Sequence, residues 1–155
     1  MSFDARSDRC GDARRWLVLY DADCGMCKWL LALLLRWDRE ARLRPLALQR
    51  AEADRLLADL APVERMASWH LISPDGERRS GGAALPALLR LLPAGRPAAA
   101  VLDRSPRLTE RGYRWVADHR SQLSRLVPAG AKRRAARLVR EREGAGDPAA
   151  IAEAP

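Results

Sequence analysis

The sequence predicts a single α/β domain built on a sheet of parallel and antiparallel strands. A continuous apolar run, Trp16–Tyr20, is followed at once by a segment whose apolar residues have helical spacing. This pattern is typical of a buried strand that leads into a helix. Two strand-like segments flank Pro74-Asp75-Gly76, which favours a tight reversal of the chain. The 155 residues are 48% hydrophobic, which is enough for one domain with its own core.

The first half of the chain predicts a strand, a helix and a second strand. Asp21 ends the first strand, and the helix begins at Gly25. Leu43–Leu48 is the second strand, and Pro45 places it at a sheet edge because proline lacks a backbone donor. A right-handed crossover makes the two strands parallel. The helix is expected to bury Met26, Trp29, Leu30, Leu33, Leu34 and Trp37 and to turn Lys28, Ala32 and Arg36 toward solvent.

The second half predicts a helix over Ala51–Leu60, a hairpin of Ser68–Ile72 with Glu77–Ser80, and a third helix after Gly81-Gly82. Pro86 fits only the first turn of that third helix. Its inward-facing residues are expected to be Leu85, Leu88, Leu89 and Leu92. This order of elements is that of the thioredoxin-like fold. The segment Leu108–Val127 adds one amphipathic C-terminal helix, which is expected to cap the domain.

Residues 15–127 are therefore expected to form the thioredoxin-like domain. Residues 1–14 are polar and aperiodic, which predicts a flexible leader. Residues 128–155 are first basic and then of low complexity, which predicts a disordered tail. The basic part, residues 131–143, suits either a lipid or nucleic-acid contact or a solvated helix. A solvated helix is favoured because Leu138 and Val139 provide almost no apolar face.

Charge and cysteine content restrict the classes of partner and the compartment. The net charge is +8, but the arginines are scattered without interleaved aromatic residues, so a nucleic-acid partner is not expected. Three cysteines are too few for a disulfide scaffold, and the charged beginning of the chain does not fit a secretory signal. The longest apolar run, Trp29–Leu35, is shorter than the ~20 residues that cross a bilayer. We expect a cytoplasmic protein without a transmembrane segment.

The residues Cys24-Gly25-Met26-Cys27 place two thiols three positions apart where the first strand turns into the first helix. The free N–H groups of a first helical turn favour a thiolate, which is the attacking species. Cys24 is predicted to be the nucleophile. Cys27, one turn into the helix, is predicted to resolve the mixed disulfide. Such a pair needs no bound cofactor and no metal.

Charged residues next to the pair have opposing effects. Lys28 would stabilise the thiolate, whereas Asp21 and Asp23 would destabilise it by like-charge repulsion. Either carboxylate could instead accept the proton of Cys27 during resolution, directly or through water. The expected substrate is a disulfide-containing protein or a small thiol compound, with a thiol electron donor or acceptor as second partner.

The segment Tyr20–Cys27 resembles the DCC family of predicted thiol-disulfide oxidoreductases, which is named for its Asp-Cys-x-x-Cys motif. Three later segments are also similar to family motifs, and the resemblance extends from Trp16 to Leu126. It implies a thioredoxin-like fold and a redox role for the Asp23-Cys24 and Cys27 positions. The three segments are Arg44–Gln49 (Pro-Leu-x-x-Gln), Ser80–Ala84 (small residues before the third helix) and Tyr113–Arg120 (Tyr-x-x-x-Ala-x-x-Arg).

The sequence also departs from this pattern. Ala22 stands where family members commonly have glycine, and Gly25-Met26 stands where they have Pro-Phe. Thioredoxin-like enzymes usually carry a cis-proline before the third strand, where this chain has Met66-Ala67-Ser68. These differences affect the backbone before Cys24 and the surface opposite the cysteines.

Alternative functions fit the residues less well. A zinc site would need Cys10, His70 or His119 beside the pair, and no second pair has finger-like spacing. We expect His70 to be structural, His119 to lie on a helix face, and Cys10 to be incidental, although its reach allows a disulfide with Cys24. The Asp21-x-Asp23 spacing resembles a haloacid-dehalogenase-type phosphatase, but the later acidic pair of that class is missing. A non-catalytic binding module that uses its basic surface or closing helix is the second functional hypothesis.

Overall fold

The structure is a computed structural model that describes residues 14–144. Its centre is a four-stranded sheet of β1 (Trp16–Tyr20), β2 (Leu43–Ala47), β3 (His70–Ile72) and β4 (Arg78–Ser80). The strands lie in the order β2-β1-β3-β4. β1 and β2 pair in parallel, and the other two pairs are antiparallel. The α/β class, the parallel unit, the hairpin and the edge position of Pro45 are confirmed.

Eight helices surround the sheet in the described part of the chain. In order they are α1 (Gly25–Trp37), α2 (Ala51–Leu56), α3 (Pro62–Ala67), α4 (Leu85–Leu91), α5 (Arg96–Arg104), α6 (Pro106–Asp118), α7 (Arg120–Leu126) and α8 (Ala129–Gly144). A 3-10 turn, Gly81–Ala84, precedes α4, and Pro86 lies in the first turn of α4 as expected. The arrangement agrees with a thioredoxin-like fold.

Side chains of β1 alternate between two apolar layers because successive residues of a strand point to opposite faces. Val18 and Tyr20 pack in a layer with residues of α1, α4 and α8, whereas Leu19 packs in a layer with residues of α2. All three are at most 4% exposed. The central strand is therefore buried on both sides, and its C-terminal end delivers the chain to the cysteine pair.

The predicted solvent face of α1 is wrong at two of its three residues, whereas Arg36 is exposed as expected. Ala32 is 3% exposed and Lys28 is half-buried, because Ala135 and Val139 of α8 belong to the same buried cluster as Ala32. Three residues assigned to the buried face are instead partly open to solvent. These are Leu30, Leu33 and Trp37, which are 38%, 42% and 40% exposed.

The C-terminal region differs from the prediction of a disordered tail over residues 128–155. The helix favoured for residues 131–143 is present, but it is packed against the domain and not solvated on all sides. Residues 129–144 form α8, which lies against α1 and the edge strand β2. Its buried residues, Ala135, Val139 and Glu143, are spaced four apart and form one narrow stripe. The small side chain of Ala135 and the hydrogen-bonded carboxylate of Glu143 allow α8 to pack without the broad apolar face that a buried helix usually has. The predicted leader, Cys10 and residues 145–155 lie outside the described residues.

Two other helical predictions are corrected, and two helices were not predicted. The helix predicted over Ala51–Leu60 ends at Leu56, and Leu108–Val127 consists of two helices that meet at His119. Helices α3 and α5 were not predicted, although each begins with proline in its first turn, a frequent helix-start signal. Within residues 14–144 none of the helices combines the length and apolar character that a bilayer span requires.

Candidate active site

The cysteine pair lies at the junction of β1 and α1. Cys24 is the N-cap residue of α1, in an extended conformation with φ −87° and ψ 107°. Its backbone N–H donates to the Asp21 carbonyl at 3.3 Å, and its carbonyl accepts from the Lys28 N–H at 3.1 Å. The Cys27 N–H donates to Cys24 Sγ at 3.1 Å. Cys24 thus takes the position that serine, threonine or aspartate usually fills at a helix start, and its sulfur receives a free N–H group of the first turn.

Cys24 and Cys27 are joined as a disulfide with their Cα atoms 5.2 Å apart. Both residues are half-buried, whereas Met26 between them is only 8% exposed and anchors the turn in the interior. The spacing read from the sequence therefore brings the two sulfur atoms together. The pair can store two electrons as a dithiol and release them on forming the disulfide.

The two aspartates before the pair form a hydrogen-bonded turn with Gln49. Asp21 Oδ1 accepts from the Asp23 N–H at 3.0 Å and from Gln49 Nε2 at 2.9 Å. Gln49 Nε2 also lies 3.4 Å from Asp23 Oδ2, and Gln49 Oε1 accepts from the Ala22 N–H at 3.2 Å. One amide thus braces the three residues that precede Cys24. Asp21 is half-buried and Asp23 is exposed.

Gln49 lies in a family-like segment, but no role was predicted for it from the sequence. The parallel pairing of β1 with β2 explains its position, since Tyr20 pairs with Ala47 and both strands end at the same edge. The backbone of Leu48 continues this contact, with its N–H donating to the Tyr20 carbonyl at 2.9 Å. The polar residues after the two strands are therefore neighbours in space.

Residues from the C-terminal helices approach the pair from another side. A Cβ placed on Gly25 would lie 3.4 Å from Cδ of Lys132 and 3.9 Å from Oγ of Ser124. Lys132 is one of only two lysines among 28 basic residues, and the other, Lys28, follows Cys27 directly. Sequence reasoning did not assign Lys132 to the site because nothing local to residue 132 indicates a contact with α1.

On the side of Cys27 the site opens into a cavity of about 940 Å³. Its walls come from the sheet, α1, α4, α5, α6 and the segment before β3, and Asp21 and Arg120 are the two charged residues among the described residues that line it. Cys27 is a lining residue, whereas Cys24 is not. No pattern in the sequence indicates this cavity, because its walls come from several separate parts of the chain.

Two of the family-like segments meet at the far wall of this cavity. The Gly82 N–H donates to Glu110 Oε2 at 3.0 Å, and a Cβ on Gly82 would lie 2.8 Å from the Glu110 Cα. Gly81, with φ +59°, faces the ring of Tyr113. Helix α6 therefore docks where the chain has no side chains. Burial raises the pKa of the Tyr113 hydroxyl, which is hydrogen-bonded to the Trp69 backbone.

The histidines have structural surroundings. His70 is 1% exposed, with Nδ1 2.6 Å from Ser80 Oγ and Nε2 3.0 Å from the Arg65 carbonyl, which confirms the structural role predicted for it. His119 lies between α6 and α7, with Nδ1 2.7 Å from the Trp115 carbonyl. Residues 14–144 contain no group of three or more His, Cys, Asp or Glu side chains that could hold a metal ion.

A cysteine pair that closes a disulfide at the start of a helix, beside a buried strand of an α/β sheet, defines a thiol-disulfide oxidoreductase. Residues 18–126 match the family model described as DCC1-like thiol-disulfide oxidoreductase. This match covers most of the chain, and the protein belongs to that family. No curated protein and no solved structure matches it significantly.

Proposed function

We propose that the enzyme reduces or forms disulfides through a mixed disulfide on Cys24 that Cys27 resolves. In the reducing direction the Cys24 thiolate attacks one sulfur of a substrate disulfide, and the other sulfur leaves as a thiolate. The Cys27 thiolate then attacks Cys24 Sγ and releases the second substrate thiolate. Two electrons pass to the substrate, which takes up two protons, and the protein is left with the Cys24–Cys27 disulfide.

The hydrogen bond from the Cys27 N–H to Cys24 Sγ carries this assignment. A hydrogen bond to a charged group is worth about 1.5–3 kcal/mol, so this contact favours a thiolate at Cys24 over one at Cys27. The opposing charge of Asp23 is exposed and is screened by solvent. Cys27 borders an apolar cavity, an environment that disfavours a thiolate until the substrate is attached.

Asp21 is the better placed of the two predicted proton acceptors. It borders the same cavity as Cys27, whereas Asp23 is exposed and does not. The bonds from Gln49 and from the Asp23 N–H hold the Asp21 carboxylate in one orientation. We propose that it takes the proton of Cys27 through water when Cys27 attacks the mixed disulfide.

The substrate is proposed to be a disulfide compound, and the cycle requires a thiol electron donor when the enzyme acts as a reductant. A cytoplasmic thiol pool can supply those electrons, and we propose that compartment for the reaction. No bound cofactor takes part in these steps.

A trapping experiment tests the order of attack. Cys27→Ser is expected to accumulate covalent mixed disulfides with substrate at Cys24, identified by peptide mass spectrometry, and Cys24→Ser is the matched control that should accumulate far fewer. Wild-type protein should cycle with dithiothreitol and reduce a model disulfide. The proposal fails if neither variant traps substrate and the wild-type protein reduces none.

A further inference from the structure

We infer that the cavity beside Cys27 receives the organic groups of small apolar disulfides, and that these compounds are the substrate class of the enzyme. The inference rests on the thiol-disulfide exchange proposed above and adds to it the chemistry of the substituent. It depends on where the redox pair lies relative to the cavity. Cys27 forms part of the wall, and its sulfur is bonded to that of Cys24 in the structure. A group attached to Cys24 Sγ therefore starts next to the cavity.

The size of the cavity fits a small organic molecule. Its volume of about 940 Å³ lies within the range of ≈300–1,000 Å³ that is usual for small-molecule sites. Leu33, Val101 and Leu108 line it and are 42%, 62% and 64% exposed. These three residues, from α1, α5 and α6, mark the side that is open to solvent, so a ligand can enter without unfolding the domain.

The composition of the wall selects apolar groups. Apart from Asp21 beside the pair and Arg120, the described residues of the lining are uncharged, and most of them are leucine, methionine, valine or aromatic residues. A charged or strongly hydrated substituent would lose its water here without gaining partners. An alkyl or aryl substituent gains free energy in proportion to the apolar surface that it buries.

The backbone of the segment before β3 argues against an extended peptide in the same place. Strand pairing with a bound peptide needs free N–H and C=O groups at the edge of the site. The Trp69 carbonyl already accepts from the Gly81 N–H at 3.2 Å, and the Trp69 backbone is hydrogen-bonded to the Tyr113 hydroxyl. These Trp69 groups are used within the fold and are not open to a bound peptide, and the Trp69 side chain offers apolar contact to a ligand.

The chemistry is that of the proposed cycle with a small substrate, R–S–S–R. Attack by the Cys24 thiolate forms a Cys24–S–R disulfide and releases one R–S⁻, with the remaining R group in the cavity. Attack by Cys27 on Cys24 Sγ forms the Cys24–Cys27 disulfide and releases the second R–S⁻. Two protons convert the products to R–SH, and dithiothreitol returns the protein to its dithiol form in the assay.

The first experiment compares two nearly isosteric substrates on the wild-type protein. Di-n-propyl disulfide and bis(2-hydroxyethyl) disulfide differ by a methyl and a hydroxyl at each end. Each kcat/KM is first divided by the rate at which dithiothreitol alone reduces the same compound. The corrected value should be about 10-fold or more higher for the dipropyl compound, which is the usual effect of exchanging a hydroxyl for a methyl in an apolar pocket. Glutathione disulfide and insulin serve as charged and protein substrates and should be reduced more slowly still.

The second experiment narrows the cavity at a position where the backbone has room. Gly112 on α6 lines the cavity, and a Cβ placed there would meet nothing within 4 Å. Gly112→Trp should lower kcat/KM for dipropyl disulfide about 10-fold, whereas Gly130→Trp should lower it less than about 2-fold. Gly130→Trp is the matched control, because Gly130 lies in α8 outside the cavity and its Cβ would meet only the Arg133 side chain at 3.9 Å.

The outcomes separate the inference from the function on which it rests. Equal corrected rates for the isosteric pair, or faster reduction of insulin than of both small disulfides, would overturn the apolar substrate class and leave the redox cycle in place. Reduction of none of the substrates would overturn the proposed function itself. If Gly112→Trp keeps a native circular dichroism spectrum and reduces dipropyl disulfide as fast as Gly130→Trp does, the cavity is not the binding site. If it does not fold, the wild-type comparison decides alone.

Discussion

Replacing Glu143 by alanine should destabilise the fold strongly, although the residue lies in a segment whose sequence looks like a solvated tail. Glu143 is 6% exposed in the last turn of α8. Its carboxylate accepts from the Ala47 N–H at 2.9 Å and from the Tyr20 hydroxyl at 3.2 Å, and it lies 3.5 Å from Arg50 Nε. Burial, followed by the charge of Glu143, raises the pKa of Tyr20 well above its usual range. The carboxylate therefore ties α8 to the outer edge of β2.

The expected loss follows from the groups that would be left without a partner. Glu143→Ala removes the acceptor of one backbone N–H and one phenol, and each buried unsatisfied group costs about 1–3 kcal/mol. The Arg50 side chain is 52% exposed, so its ion pair adds little after solvent screening. We expect a decrease in the free energy of unfolding of about 2–4 kcal/mol, a large share of the ~5–15 kcal/mol typical of a domain.

Glu143→Gln is the matched control. Its amide oxygen can still accept from the Ala47 N–H, and its NH₂ group can donate to the Tyr20 hydroxyl, so the loss should stay below about 1 kcal/mol. The measurement is urea unfolding followed by tryptophan fluorescence and circular dichroism, with the slope m compared among the proteins. A loss for Glu143→Ala within about 0.5 kcal/mol of that for Glu143→Gln would refute the reasoning, because that margin is smaller than the cost of one unsatisfied group.

Two further predictions concern the turn before the cysteines and the buried histidine. Gln49→Leu removes the hydrogen bonds to Ala22, Asp21 and Asp23, so the reduced pair should close its disulfide several-fold more slowly in stopped-flow oxidation. The control Gln122→Leu, at an exposed position of α7, should behave as wild type. Equal rates of disulfide closure in the two variants would contradict the bracing role of Gln49. Burial lowers the pKa of His70 below its usual 6.5, so the unfolded chain binds a proton that the folded protein does not, and the free energy of unfolding should fall as the pH drops below about 6.5. This decrease, measured by urea unfolding from pH 7.5 to 5, should be smaller in His70→Asn and unchanged in His119→Asn; an identical pH dependence in all three proteins would show that His70 is not its source.

The elements that the sequence predicted correctly are those whose signals are local. The apolar run Trp16–Tyr20 could only be a strand buried on both faces, and Pro45 excluded a central position for the next strand. The turn residues between β3 and β4 defined the hairpin. In each case a few neighbouring residues determine the conformation, so no knowledge of distant contacts was needed.

The packing of helix α8 against the domain could not be predicted in this way because its binding face has almost no hydrophobic period. Two of its three buried residues are an alanine and a glutamate, which a search for apolar stripes treats as surface. The stabilising contact is a hydrogen bond between Glu143 and Ala47, 96 residues apart. The same reason explains the wrong solvent face of α1, since Ala32 is buried only because α8 is there.

The candidate site also contains some residues that a local pattern indicates and others that only distant contacts explain. The sequence alone indicates the cysteine pair and its two acidic neighbours, because all four lie within residues 21–27. They are Asp21, Asp23, Cys24 and Cys27. The contact of Gln49 with Asp21 could not be predicted in this way, because it depends on the parallel pairing that brings the ends of β1 and β2 together. The cavity is a property of the packed helices and has no counterpart in any local pattern.

The surroundings of the two sulfur atoms differ in a way that bears on the direction of the chemistry. Cys24 Sγ receives a backbone N–H at the start of α1, and the Lys132 side chain lies near Gly25 beside it. Cys27 borders the apolar cavity, and Asp21, which precedes the pair in the chain, is a charged residue of the same lining. These surroundings support the proposed cycle, in which Cys24 is the first thiolate to attack and the thiolate at Cys27 is needed only after a substrate group is attached. In the proposed cycle Cys27 attacks Cys24 Sγ and the leaving group is R–S⁻, so resolution depends on the acidity of the substrate thiol. A stabilised Cys24 thiolate instead raises the population of the attacking species in the first step and makes Cys24 a good leaving group when that step is reversed.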